Sequence, residues 1–123
     1  MEFVRLQFTD MFGSIKNVAV TAGQLPRALE NRYLVDGAAL YGRLRRGEED
    51  MYLYPDPDTF TILPWRPQQG KVARLLCDVC RADATPCMAD SRSILKRVVA
   101  GTQQKGYTFL VDPECEFFLF HTD

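Results

Sequence analysis

Residues Phe3 to Asp10 alternate strictly, with Val4, Leu6 and Phe8 on one face and Arg5, Gln7 and Thr9 on the other. Period-two patterning of this kind marks a strand buried on one side only. Met11-Phe12-Gly13-Ser14 then supplies a turn, and Ile15 to Val20 alternates again, Ile15, Asn17 and Ala19 against Lys16, Val18 and Val20. The two runs predict a β-hairpin. An isolated hairpin is at best marginal in water, so its apolar face must be covered by further strands or a helix. The rest of the chain must supply that cover.

Gly23 to Asn31 carries Leu25, Ala28 and Leu29 at helical spacing and predicts a short amphipathic helix, with Pro26 tolerated in its first turn. Val35 to Gly42 reads as a loop. Met51 to Tyr54 is a short strand stopped by Pro55 and Pro57, and Phe60 to Leu63 is another, ended by Pro64. Trp65 suits packing or an interface better than ligand contact. The longest strand candidate runs from Lys71 to Cys80 through Val72, Leu75, Leu76 and Val79. Asp90 is a suitable N-cap for a helix over Ser91–Gln104, with Ile94, Leu95, Val98 and Val99 in one stripe and Gly106 closing it. Thr108 to Val111 and Cys115 to Phe120 read as strand segments interrupted at Pro113. This order predicts an α+β fold of the β-grasp (ubiquitin-like) kind: a mixed sheet with a packed helix. An incomplete helix–strand piece follows and leaves that sheet.

The length of 123 residues matches one domain with a small appendage. A net charge of −1 and a pI near 5.8 speak against a nucleic-acid partner. No apolar run approaches the roughly 18–20 residues of a membrane span, and no signal peptide opens the chain. A cytoplasmic address follows as the default. With His121 the single histidine, His-based triads and multi-His metal sites are excluded within this chain. Cys77-x-x-Cys80 has the spacing of half a zinc site or of a redox pair. Cys87 and Cys115 form no second close pair, so the pattern favours reduced, structural thiols over zinc or redox chemistry.

Specific strings go further. Val4-Arg5-Leu6-Gln7-Phe8-Thr9-Asp10-Met11-Phe12-Gly13, with Lys16-Asn17-Val18, resembles the opening of bacterial type I glutamine synthetases. So do Asp50-Met51-Tyr52-Leu53-Tyr54-Pro55-Asp56, Asp58-Thr59-Phe60 and Pro64-Trp65. Gly70-Lys71-Val72-Ala73-Arg74, Thr85-Pro86, Leu95-Lys96-Arg97 and Pro113-Glu114-Cys115-Glu116-Phe117-Phe118-Leu119-Phe120 continue the resemblance in order. It implies an N-terminal β-grasp domain over 1–85 and the truncated start of the catalytic domain over 86–123, in a chain trimmed at both ends.

The resemblance implies an ATP-dependent ligase that joins ammonia to glutamate through γ-glutamyl phosphate. Mg²⁺ or Mn²⁺ would be its metal, a dodecameric ring its assembly and the cytoplasm its place. Glu114 and Glu116 fall at metal-ligand positions, each serving a different cation. Residues two apart on a strand share one face, and paired carboxylates supply the hard oxygen donors such cations prefer. Asp36, in Val35-Asp36-Gly37-Ala38-Ala39, matches the aspartate that helps bind ammonium in a neighbouring subunit's site. Alanines stand where the family's loop has serines. Arg45 matches a position tied to feedback by glutamine in one subclass. A non-catalytic β-grasp assembly module is the alternative, and the isolated chain is expected to be inactive in either case, since it has no glycine-rich phosphate cradle.

Overall fold

The computed structural model describes residues 1–30, 33–41, 49–65 and 70–121. Five strands form one mixed sheet: β1 (Phe3–Thr9), β2 (Ile15–Thr21), β3 (Tyr33–Val35), β4 (Met51–Ile62) and β5 (Val72–Cys80), in the spatial order β2-β1-β5-β4-β3. β1 runs antiparallel to β2 and parallel to β5, with Leu6 opposite Val18 on one side and Leu75 on the other. β4 is antiparallel to both β5 and β3. The helices among the described residues are α1 (Leu25–Leu29), entered through a 3-10 turn, α2 (Ala38–Tyr41) and α3 (Ser91–Gln103). This is the expected α+β, β-grasp arrangement.

The hairpin alternation carries straight into burial. Val4, Leu6 and Phe8 of β1 and Val20 of β2 meet Ala28 of α1, Leu40 of α2 and Leu53 of β4 in one core. β5 contributes Ala73, Leu75, Cys77 and Val79 to that core, so Cys77 takes an inward position and Leu76 turns to the opposite face. The hairpin turn closes on Asp10. Its Oδ1 accepts the amides of Phe12 and Ser14 at 3.0 and 2.8 Å, and Gly13 takes the left-handed φ of 86° that this tight return needs.

Four expectations need correction. The prolines do not stop β4, which passes through Pro55 and Pro57 with a register shift between Asp56 and Thr61. Beyond Leu53 the strand has no β3 partner, so a missing N–H costs no ladder bond on that side. The loop predicted over Val35–Gly42 contains α2. Trp65 is 71% exposed, which removes packing in the core from its two readings and leaves an interface. Neither Thr108–Val111 nor Cys115–Phe120 is a strand: residues 107–121 pair with no strand among the described residues, and their large apolar side chains stand 66 to 92% exposed. Alternation sets which side chains share a face, but a strand exists only once a partner completes its ladder.

Asp90 caps α3 as predicted. It also does more, because it is wholly buried and its Oδ2 accepts the Val79 amide at 3.2 Å as well as the Ser93 amide at 3.1 Å. Replacing it strips the helix of its cap and leaves a β5 amide unpaired. We expect Asp90→Ala to lower the unfolding free energy by about 2 kcal/mol, read from urea denaturation.

Candidate functional site

β1, β3 and β5 run in one direction, so the segments that follow them gather at the same end of the sheet. These segments are the hairpin turn at 10–14, the Asp36 turn leading into α2, and residues 81–90 leading into α3. Side chains and backbone tie them together. The Met11 amide donates to the Leu40 carbonyl at 3.2 Å, and the Tyr41 hydroxyl lies 3.7 Å from the Cys87 sulfur.

Asp36 sits in the middle of this cluster, exposed, at the first residue after β3. Its Oδ1 accepts the Ala38 amide at 2.8 Å and its carbonyl accepts the Ala39 amide at 2.9 Å. One carboxylate oxygen is thus used to hold the turn, and the other remains as a fixed anionic acceptor. Ala38 and Ala39 offer no side-chain donor or acceptor beside it.

Glu114 and Glu116 lie on the exposed segment after α3. No ion pair among the described residues engages either carboxylate. Nor do three or more His, Cys, Asp or Glu side chains converge there or elsewhere among the described residues in a way that could hold a metal. The two glutamates suit Mg²⁺ or Mn²⁺ in donor type, and further ligands would have to come from outside the pair. Arg45 lies outside the described residues.

The cysteines divide by environment. Cys77, Cys80 and Cys87 are buried free thiols and Cys115 is exposed. Burial pushes Cys77 up to about 12 and Cys80 up to about 11, reinforced in both by the nearby Asp78 charge. Both stay protonated and unreactive at neutral pH.

Sequence reasoning missed a charge cluster on the face of the sheet opposite the core. Arg92, in the first turn of α3, spans two strands: Nη2 donates to Asp56 Oδ2 of β4 and Nη1 to Asp78 Oδ1 of β5, both at 2.7 Å. Lys96 Nζ adds a 2.6 Å contact to Asp78 Oδ2. The Arg92 hydrogen bond holds the Asp56 carboxyl below its ordinary value of 3.8, despite the opposing effect of partial burial. A signal was present in the sequence, an arginine two residues past a helix cap with aspartates on two strands, but only the strand register brings the aspartates together.

Comparison with known proteins places this geometry. The family model described as the glutamine synthetase β-grasp domain matches residues 1–82, and that of the glutamine synthetase catalytic domain matches 88–123. The chain is 56% identical over its whole length to a glutamine synthetase of Clostridium saccharobutylicum and 50% identical to one of Staphylococcus epidermidis. In both cases it spans 28% of the relative's length. Among solved structures, one described as apo GmaS without ligand superposes with a TM-score of 0.74 at 28% identity, covering 85% of this chain and 24% of that one. The Plasmodium falciparum glutamine synthetase shares the fold with a TM-score of 0.73 at 17% identity, over 86% of this chain and 20% of that one.

The depressed Asp56 value fixes the sign of an acid effect. The unfolded chain takes up the proton first, so the stability contributed by the Arg92–Asp56 pair is complete above 3.8 and is lost as pH falls through the lower folded value. Melting temperatures of wild type and Asp56→Asn should therefore differ at neutral pH and converge in strong acid. A gap that persists or widens in acid would show that the pair is not what Asp56 supplies.

Proposed function

Because the chain belongs to the glutamine synthetase family, we propose that it is part of an ATP-dependent ligase that joins glutamate and ammonia. The single observation that carries this reading is whole-length identity of 56% to a protein of that name. Residues 1–85 would form the β-grasp domain and 86–123 the start of the catalytic domain. The turn at 81–86 supports this division: Ala84 takes a left-handed φ of 65° there, just past the end of β5.

In this reading Asp36 binds ammonium in the site of a neighbouring subunit. Its support is the geometry of the turn, in which Asp36 is exposed and one carboxylate oxygen has no hydrogen bond among the described residues. A fixed anion attracts ammonium and stabilises it in the charged form. The working protein is a ring-shaped homo-oligomer, a dodecamer as in the resembled enzymes, and it acts in the cytoplasm. No described helix is long and apolar enough to cross a membrane. Arg45 takes its part in glutamine feedback on the resemblance alone.

Glu114 and Glu116 would each hold a different Mg²⁺ or Mn²⁺. Such cations neutralise charge on a transferring phosphoryl group. The glutamates contribute anionic oxygens that carry no competing ion pair among the described residues. ATP and the remaining ligands would be held by residues outside this chain.

The test uses a protein of the relatives' length. Glu114→Ala or Glu116→Ala should cut glutamine formation by about a hundredfold or more, with melting temperature nearly unchanged and a raised metal requirement. An exposed glutamate contributes little to folding, so the two readouts separate. Near-normal turnover in both variants at ordinary metal concentration would overturn the metal assignment. The 123-residue chain alone should form no glutamine above background with ATP, Mg²⁺, glutamate and ammonium.

A further inference from the structure

α3 is held to the sheet in an unusual way. None of its residues is buried, and Leu95 and Val98 of its apolar stripe are 62 and 54% exposed. Between its N-terminal half and the sheet lies a cleft of about 360 Å³, lined by Gln7, Thr9, Leu76, Ser91, Arg92 and Leu95 among others. What fixes the helix is polar and sits at its N-terminal end: the buried Asp90 on the Val79 amide, Arg92 across Asp56 and Asp78, and Lys96 on Asp78.

Asp56 and Asp78 lie on one face of neighbouring strands, Asp56 opposite Leu76 and Asp78 opposite Tyr54, so they are diagonal neighbours two positions apart. Like charges so placed repel, and the planar guanidinium fork is the group that can satisfy both at once. All three side chains are about three-quarters buried, which limits screening by water.

β4 also flanks β3, the strand that leads into the Asp36 turn, since Val35 pairs with Met51 at the start of β4. β4 is therefore hydrogen-bonded to the strand that leads into Asp36 and also supplies the carboxylate that grips α3, the helix from which the chain continues to Glu114 and Glu116. We infer that Arg92 is a positioning residue: by clamping α3 to β4 and β5 it fixes the relation between the Asp36 end of the chain and the Glu114–Glu116 segment. Its functional consequence rests on the ammonium and metal assignments proposed above.

The experiment takes a protein of the relatives' length as wild type, Arg92→Ala and Arg92→Lys, with Asp36→Ala and Glu114→Ala as references, at matched assembly and foldedness. Amide exchange across 94–100 should quicken about tenfold or more in Arg92→Ala, because the helix loses its grip while the Asp90 cap remains. The ammonium KM and the Mn²⁺ concentration for half-saturation, the latter read by electron paramagnetic resonance on the idle enzyme, should both rise by roughly threefold or more. Arg92→Lys keeps the charge without the fork and should fall between the two. Unchanged exchange in a folded Arg92→Ala protein overturns the clamp. Faster exchange with unchanged KM and Mn²⁺ affinity, while the reference variants do shift, makes Arg92 a stability residue only and overturns its positioning role. Reference variants that leave both quantities at wild type would instead remove the site assignments, and amide exchange then judges the clamp by itself.

Discussion

The fold depends on β5 lying between β1 and β4. The first strand meets a partner more than sixty residues away, in parallel, and that pairing closes the long intervening segment into a single core. Closing so long a loop costs entropy before any contact forms, and it is recovered through the apolar faces of β1 and β5 meeting over Leu6 and Leu75. Without β5 the hairpin and β4 have no common neighbour. With it, β1, β3 and β5 point the same way, and everything that follows them gathers at one end.

That gathering explains why so little machinery is needed to build the site end. The Asp36 turn is made by its own backbone and one carboxylate oxygen, with Leu40 anchoring the next turn of chain in the core. The hairpin and the α3 approach then lean on it through Met11 and Cys87. Asp36 can stay exposed because buried neighbours such as Leu40 help its own turn contacts hold the backbone beneath it.

The two faces of the sheet are stabilised by different physics. Inside, aliphatic side chains and a protonated Cys77 fill space, and burial, with the nearby Asp78 charge added to it, accounts for the thiol's reluctance to ionise. Outside, the link to α3 is electrostatic, directional and confined to one turn of helix. Such contacts add little to stability in the open, but partly buried and shared between two carboxylates they set an orientation that apolar packing would leave free.

Local patterning was enough to determine much of this protein. Period-two alternation marked β1 and β2, an apolar run marked β5, the Asp90 cap located α3, and the ordered strings pointed to the glutamine synthetase family that the comparisons then showed. These features are legible because each depends on neighbours within a few residues, or on residue identity alone. The sequence could not show that β4 runs through two prolines, because whether a missing amide matters depends on which strand lies alongside. Nor could it show that the alternating residues after α3 lack a ladder, since pairing is a property of two segments. Asp36 before Gly37 was legible as a residue that can stabilise a turn, though not which amide it would hold, and the meeting of Asp56, Asp78 and Arg92 was invisible. Only the register of β4 against β5 sets those aspartates side by side, and only the docking of α3 brings a guanidinium between them: charge pairs far apart in the chain are decided by tertiary structure, because distance in space, not in sequence, sets their energy.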